Sequence, residues 1–160
     1  QHTPDIKKTI QCLCNQVKKN GLIVVDFYPY NGFWTLINAI YIIRPFTKRL
    51  SVDTLFNFYK SKISHLIDLY FFLKKFNLGI LNRFLPIADI SNTIPQNISH
   101  DLLEEMVSLD TSDMLSPKYD MPQKISKIKN LISKENFKIN FAGKIYYNTF
   151  TSSVVRGQKN

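Results

Sequence analysis

The sequence has 160 residues, 44% of them hydrophobic, and a net charge of +9. It is long enough to bury a moderate core and too apolar to remain disordered. The mean hydropathy is -0.13, and the longest apolar runs, LINAIYII and LIDLYFFL, fall short of the roughly 18 residues that a membrane-spanning helix requires. These values argue against a transmembrane helix, and we expect a cytoplasmic protein because no targeting segment is visible.

The positive charge is unevenly distributed along the chain. Between Asp101 and Asp120 there are six acidic residues and one lysine, whereas the remainder is strongly basic. A nucleic acid, an anionic membrane and an anionic substrate are each compatible with this charge, and so is an ordinary lysine-rich surface in water. Because most aromatic residues lie in apolar helical runs rather than beside basic or Gly-rich loops, we expect no nucleic-acid partner.

The first predicted element is a helix from Pro4 to Lys19, with Thr3 as its N-cap and Pro4 at its first position. The chain's two cysteines, Cys12 and Cys14, point about 200° apart on such a helix, so they can neither share a metal nor form a disulfide with each other. We therefore interpret Cys14 as a small core residue. Asp110 and Asp113 are an alternative metal site, but hard cations usually need more oxygen ligands at closer spacing, so we predict no metal site. The apolar stripe of this helix consists of Ile6, Ile10, Leu13, Cys14 and Val17.

A strand, LIVVDFY, follows between Gly21 and Pro29. Its β-branched centre and short length favour a strand that is buried on both faces, as in a parallel sheet. Together with the preceding helix, it forms half of a repeating α/β unit.

From Phe33 to about Phe84 the pattern changes to two or three helices rich in aromatic residues. Pro45 is predicted to break the first of them, and Ser51 or Asp53 to cap the next. We interpret this stretch as a helical insertion, followed by an irregular connector, FLPIADISNTIPQNISH.

The C-terminal part is predicted to contain a loop, LDTSDMLSPKYDMPQ, a helix from Pro122 to about Lys134, and two strands. The strands, Phe137–Ala142 and Tyr147–Val155, form an antiparallel pair around a short Gly-Lys-Ile turn. Alternation places Phe137, Ile139 and Phe141 on one face of the first strand. The helix is predicted to turn Ile125, Ile128, Leu131 and Ile132 inward and Lys124, Lys127 and Lys129 outward.

Several segments, in order, resemble the C-terminal half of class I S-adenosylmethionine-dependent methyltransferases. The opening QHTPDIKKTIQCLCNQVKKNGLIVVDFY resembles the family's helix, glycine turn and fifth strand. LSPKYDMPQ and the helix after it resemble the segment before the sixth strand, and SSVVRGQK resembles the seventh strand with its tail. RPFTKRLSVDTLFNFYKS and LNRFLPI resemble the helical lid that one branch of the family carries after strand five.

The resemblance implies an α/β fold, namely the C-terminal part of a Rossmann-like methyltransferase fold with a helical insertion. Residues 1–32 and 101–160 would form the core and residues 33–100 the insertion, and the last strand would lie between the other two, antiparallel to both. Two features depart from the family. The turn KNG has one glycine where the family usually has two, and no Gly-rich cofactor loop or acidic end of strand two occurs here. We therefore interpret the chain as a C-terminal portion that needs the missing N-terminal half of the fold.

The resemblance further implies S-adenosyl-L-methionine as the cofactor and an unidentified acceptor of its methyl group. It assigns Gln1, His2 and Thr3 to the rim of the cofactor site, and His2 to general-base catalysis near neutral pH. The alternative for His2 and Thr3 is that they only cap the first helix.

Two further groups of side chains are candidates for catalysis and acceptor binding. After strand five, Tyr28 is a catalytic candidate, while Tyr30 and Asn31 would contact the acceptor; ordinary turn chemistry and aromatic packing are the alternative. In the acidic loop, Asp113 is a catalytic candidate that would orient a hydroxyl or amine, with helix capping and solvation as the alternative. The remaining candidates for acceptor binding are Trp34 and Tyr119.

A second hypothesis is a non-enzymatic helical module that binds a membrane surface or a protein partner. Basic residues lie beside phenylalanine and tyrosine in the insertion, which is typical of peripheral membrane segments. The same composition favours a lipid-like acceptor, or another small aromatic or anionic molecule. The basic residues are Arg44, Lys48, Arg49, Lys60, Lys62, Lys74 and Lys75.

Overall fold

The computed structural model describes residues 2–90, 94, 97–146 and 151–160. The helices are α1 (Ile6–Gln16), α2 (Phe33–Leu36), α3 (Ala39–Thr47), α4 (Val52–Lys60), α5 (Ile63–Lys75), a 3-10 helix (Gly79–Phe84), α6 (His100–Leu115) and α7 (Ile125–Ser133). The strands are β1 (Leu22–Phe27), β2 (Phe137–Tyr146) and β3 (Thr151–Lys159). The chain is thus a mixed α/β protein, as predicted.

Residue contacts divide the chain into two compact units. The sheet unit consists of Gln1–Asn31 and Tyr119–Asn160, and the helical unit of Gly32–Lys118. The second boundary differs from the predicted one after residue 100, because α6 packs against α3, α4 and α5 and so belongs to the helical unit.

Among the described residues, three antiparallel strands form one sheet in the order β1-β3-β2. The predicted position of the last strand, between the other two and antiparallel to both, is confirmed. Gly157 in β3 pairs with Ile23 on one side and Ile139 on the other. A Cβ atom at Gly157 would lie 3.3 Å from the carbonyl oxygen of Lys138, so this close approach favours glycine.

The prediction that β1 is buried on both faces is wrong. Ile23 and Phe27 are buried, but Leu22 is 67% and Val24 62% exposed. Helices α1 and α7 contribute Ile10, Cys14, Ile128 and Ile132 to a core with the inner face of the sheet. The outer face of β1 therefore remains accessible although its sequence is apolar.

A β-bulge interrupts the alternation in β2. The pairing register with β3 shifts between Ile139 and Phe141, and one extra residue moves the following side chains to the opposite face. Phe137 is buried and Ala142 packs on the same core, whereas Phe141 is exposed and lies 5.5 Å from the guanidinium of Arg156. The predicted alignment of Phe141 with Phe137 is therefore wrong.

The strand pair is antiparallel, but the Gly-Lys-Ile segment is not its turn. Gly143, Lys144 and Ile145 belong to β2, and Tyr146 pairs with Thr151. The start of the predicted second strand, residues 147–150, lies outside the described residues. Helix α7 has the predicted faces, with Ile128 and Ile132 fully buried.

The first helix begins later than predicted. Asp5, rather than Thr3, is the N-cap, and its side chain accepts a hydrogen bond from the Lys8 amide. Leu13 is exposed instead of packed. In the following turn, Asn20 has a φ of 63°, a left-handed conformation that asparagine tolerates better than most residues. Asn20 thus takes the backbone conformation that a second glycine would favour.

The first part of the predicted acidic loop, up to Leu115, is helical. Asp110 and Asp113 lie on α6, whose inward face carries buried Ser108, Thr111 and Ser112. The Thr111 hydroxyl accepts a hydrogen bond of 3.0 Å from the Ala88 amide. Small polar side chains that pack inside a helical unit look like loop residues in a hydropathy pattern, which explains the wrong prediction.

Of two predictions about the insertion, one is wrong and one is confirmed. Pro45 does not break a helix, because it lies inside α3. Ser51 is the N-cap of α4, as predicted, and accepts a hydrogen bond from the Thr54 amide. The core of this unit combines α3, α4, α5 and α6 around residues such as Ile40, Tyr59, Ile63, Ile67 and Val107.

Candidate functional site

The candidate site of the sheet unit begins where β1 ends. The Gln123 amide donates to the Tyr28 carbonyl at 3.0 Å, and the Tyr30 amide donates to the Gln123 carbonyl at 3.0 Å. Gln123 is buried, and its side chain donates to the Met121 carbonyl at 2.7 Å. These bonds anchor the segment before α7 to the end of β1, and so hold Tyr28 and Tyr30 in place.

His2 joins this cluster from the other end of the sequence. Its Nδ1 atom lies 3.1 Å from the carbonyl oxygen of Tyr119. Its ring lies 6.4 Å from the ring of Tyr28 in an edge-on arrangement. The structure therefore brings together three predicted site residues, His2, Tyr28 and Tyr119, from three separate segments.

The contact with Tyr119 determines which imidazole nitrogen of His2 carries the proton in the neutral ring. A carbonyl oxygen only accepts hydrogen bonds, so Nδ1 is the donor. The lone pair of the neutral ring then belongs to Nε2. Both His2 and Tyr28 are exposed, and an exposed imidazole in this tautomer can accept a proton at Nε2.

The other predicted members of the cofactor rim have different surroundings. The Thr3 hydroxyl accepts a hydrogen bond of 2.8 Å from the Thr9 hydroxyl. Thr9 lies in the first turn of α1, so Thr3 supports the start of this helix. Gln1 lies outside the described residues.

Tyr30 and Asn31 follow β1, as predicted. The ammonium nitrogen of Lys124 lies 5.7 Å from the centre of the Tyr30 ring, a distance at which the cation is attracted to the aromatic face. Tyr30 is partly buried, and Asn31 is exposed. A positive charge is thus held beside the predicted acceptor-binding tyrosine.

Two predicted site residues belong to the helical unit. Asp113 is exposed on α6, and Trp34 is exposed on α2. The Arg83 Nε donates to the Trp34 carbonyl at 2.8 Å, and the guanidinium lies 5.5 Å from the indole ring. The cluster around His2 is formed without either residue.

Sequence reasoning missed Gln123 and Lys124 as parts of this cluster. They were interpreted only as the beginning of a helix, which in fact starts at Ile125. A sequence signal for this segment is Pro122, because a proline biases the residue before it towards extended backbone.

The helical unit contains a cavity of about 260 Å³. Its lining combines apolar Ile40 and Ile80 with charged Lys74, Arg83 and Asp89. The Tyr70 hydroxyl donates to the Asp89 carboxylate at 2.8 Å. None of the predicted site residues that the structure describes lines this cavity.

Within the described part of the chain, no group of three or more His, Cys, Asp or Glu side chains has a geometry that could hold a metal ion. No helix formed by those residues is both long and apolar enough to cross a membrane.

No protein-family model, no curated protein and no solved structure matches this chain. The residues and the geometry described above are therefore the basis for any functional assignment.

Proposed function

We propose that this chain is the C-terminal portion of a class I S-adenosylmethionine-dependent methyltransferase with a Rossmann-like core. The observation that supports the proposal most is the strand order, β1-β3-β2, with the last strand in the centre and antiparallel to its neighbours. The resemblance implied this arrangement for strands five, seven and six of the family. Local sequence patterns alone do not specify this strand order, because β2 instead of β3 could equally have paired with β1.

The position of the aromatic cluster also supports the proposal. Because β1 and β2 are both antiparallel to β3, they run parallel to each other. In open α/β sheets, ligands bind beyond the carboxyl ends of parallel strands. Tyr28 and Tyr30 follow the carboxyl end of β1, and His2 contacts both Tyr28 and the Tyr119 backbone.

S-adenosylmethionine supplies an already activated methyl group, so the protein mainly needs to align the acceptor and to remove one proton. His2 is the residue that we assign to proton removal, through Nε2. Its Nδ1–H bond to the Tyr119 carbonyl holds the ring in this tautomer. Tyr28 and Tyr30 would pack against the acceptor, with Lys124 favouring an acceptor of negative charge.

The residues of this chain fit only the edge of such a cofactor site. In the family, most specific contacts come from the Gly-rich loop and the acidic end of strand two, and neither pattern occurs in these residues. Within residues 1–3, the Thr3 hydroxyl is already bonded to Thr9. Each missing hydrogen bond is worth about 1 kcal/mol, and those to charged groups more, so the isolated chain should bind the cofactor orders of magnitude more weakly than a complete domain.

Calorimetric titration with S-adenosylmethionine tests the proposal. The 160 residues alone should give no binding in the micromolar range, whereas the chain joined to an upstream segment that carries a Gly-rich strand-loop-helix should bind. Micromolar binding by the 160 residues alone would mean that the cofactor site is misplaced. Failure of the extended protein to bind would overturn the proposal.

A second measurement separates the role of His2 from cofactor binding. In the extended protein, His2→Gln should lower the methyl-transfer rate far more than it weakens cofactor binding, because glutamine cannot accept a proton. His65→Gln, at an exposed position on α5, serves as the matched control and should leave the rate unchanged.

A further inference from the structure

The helical unit carries a large apolar surface formed by α5, the 3-10 helix and Trp34. We define the aromatic face as Trp34, Phe72, Phe76, Ile80 and Phe84, which are 50% to 65% exposed. Soluble proteins rarely leave so many large apolar side chains accessible in one region. Such a surface is typical of an interaction site, and methyl transfer does not account for it.

These side chains belong to one region of the helical unit. The rings of Phe72 and Phe76 lie 4.8 Å apart on α5. Helix α5 packs against the 3-10 helix, where the Asn82 side chain donates to the Tyr70 carbonyl. Arg83, which precedes Phe84, donates to the Trp34 carbonyl. These contacts connect the two ends of the aromatic face.

The charged residues between Phe72 and Phe84 are all positive, and the exposed carboxylate of Asp68 lies one turn before Phe72 on α5. Between Asp68 and Asp89 the sequence contains Lys74, Lys75 and Arg83 and no acidic residue. Lys74 and Arg83 line the same cavity as Ile80. Asp89 also lines it, but its carboxylate is engaged by the Tyr70 hydroxyl. Lysine and arginine side chains extend past apolar neighbours and place their charges at a polar boundary.

We propose that the aromatic face binds the surface of a bilayer that contains anionic phospholipids. Phenylalanine and isoleucine side chains would enter the boundary between headgroups and acyl chains, and Trp34 would lie at headgroup depth. Lys74, Lys75 and Arg83 would contact lipid phosphates. The complementary charge favours a bilayer over a second copy of this chain, because two such faces would bring like charges together.

This proposal goes beyond methyl transfer and does not depend on it. It also refines the hypothesis of a basic membrane-binding insertion. Arg44, one of the basic residues of that hypothesis, is 6% exposed and donates to the Pro117 carbonyl. It is therefore engaged inside the helical unit and is removed from the set of basic residues that a membrane surface could contact.

Trp34 is the only tryptophan of the chain, so its fluorescence reports directly on this face. The 160-residue protein is mixed with vesicles of phosphatidylglycerol and phosphatidylcholine, or of phosphatidylcholine alone, and a lipid-free sample is sedimented in parallel so that self-association is subtracted. We expect a blue shift and cosedimentation with the anionic vesicles, at least about tenfold tighter than with the neutral ones. No blue shift and no cosedimentation with anionic vesicles would overturn the proposal.

Charge reversal tests which surface binds. The double variant Lys74→Glu and Lys75→Glu should weaken binding to anionic vesicles about thirtyfold or more, since each lysine near such a surface contributes about 1 kcal/mol. Lys127→Glu with Lys129→Glu, at exposed positions on α7, changes the net charge equally and should weaken binding far less. Equal losses in the two variants would overturn the proposal.

The apolar part of the face is tested separately. Phe72→Ser with Phe76→Ser should abolish the blue shift of Trp34, whereas Tyr146→Ser, at an exposed position at the end of β2, should preserve it. Both variants are checked for retained helical circular dichroism. A blue shift that develops with protein concentration without lipid, and that the phenylalanine variant removes, would identify a second copy as the occupant and overturn the proposal.

Discussion

The ammonium group of Lys159, the last residue of β3, donates a hydrogen bond of 3.0 Å to the carbonyl oxygen of Cys14 in α1. It also donates to the Val17 carbonyl at 2.9 Å. The last four carbonyls of a helix lack partners within the helix, and the helix dipole favours a positive charge there. Lys159 therefore caps the end of the first helix from the end of the last strand.

Lys159→Met should destabilise the sheet unit by about 1 to 2 kcal/mol, because two carbonyls lose a charged donor while the aliphatic chain is kept. Hydrogen exchange should show faster exchange of the α1 amides. Lys138→Met, at an exposed position of β2, is the control and should change exchange little. Equal protection of α1 in both variants would contradict the capping role.

Arg44→Leu should destabilise the helical unit by about 2 to 3 kcal/mol. The Arg44 guanidinium is buried and donates to the Pro117 carbonyl at 2.8 Å, close to the end of α6, so its loss leaves a carbonyl without its charged donor. Urea unfolding followed by Trp34 fluorescence measures the effect. Arg49→Leu, at an exposed position, should stay within about 0.5 kcal/mol of the native protein; similar losses in both would contradict this argument.

Cys14 should make the stability of the sheet unit depend on pH in the alkaline range. Burial, followed by the nearby Glu135 carboxylate, raises the pKa of the Cys14 thiol above its ordinary value of 9.0. A group with a raised pKa in the folded state contributes stability that is complete below its unfolded pKa and is lost as the pH rises through the folded pKa. The free energy of unfolding should therefore fall more steeply above pH 9 in the native protein than in Cys14→Ala.

Thiol alkylation checks the same environment independently. Cys12 is exposed and Cys14 is buried, so iodoacetamide should modify Cys12 quickly and Cys14 only on unfolding. The variants Cys12→Ser and Cys14→Ala report each thiol alone. Comparable rates for the two thiols in the folded protein would show that Cys14 is not buried.

The exposed apolar face of β1 should promote association of the isolated chain. Among the described residues β1 pairs only with β3, and an apolar strand of this kind favours pairing with other chains. We expect oligomers or precipitation in light scattering, and Val24→Lys should shift the protein towards monomers. Val52→Lys, at an equally apolar exposed position on α4, should not. A stable monomeric native protein would contradict both this prediction and the proposal of a missing half.

Much of the local structure was predictable because it depends on neighbours in the sequence. Helix α7 has buried isoleucines at helical spacing and lysines on the opposite side, and this pattern is enough to define both the helix and its inner face. The Ser51 cap is equally local, since its hydroxyl binds an amide three residues later. The approximate positions of β1, β2 and β3 followed from short apolar runs, although β2 continues through the predicted turn.

The errors occur where burial depends on distant segments. Serine and threonine in α6 resemble loop residues in the sequence. Their burial depends on distant partners, such as the Ala88 amide, which donates a hydrogen bond to the Thr111 hydroxyl. The bulge in β2 reverses Phe141 through its pairing with β3, which no alternation within β2 can predict. In the candidate site, His2, Tyr28 and Tyr119 were predicted as site residues, but the sequence did not predict that Gln123 links two of the loops.

The sequence by itself determined the α/β class, the helical insertion, the inner face of α7 and the approximate strands, because hydrophobic periodicity and capping act over a few residues. Only the tertiary structure decided that one face of β1 stays exposed, that α6 belongs to the helical unit, that Arg44 is buried and that His2 meets Tyr119. Each of these depends on contacts between segments separated by many residues, and the free energy of such contacts comes from burial and hydrogen bonds that exist only after the chain has folded.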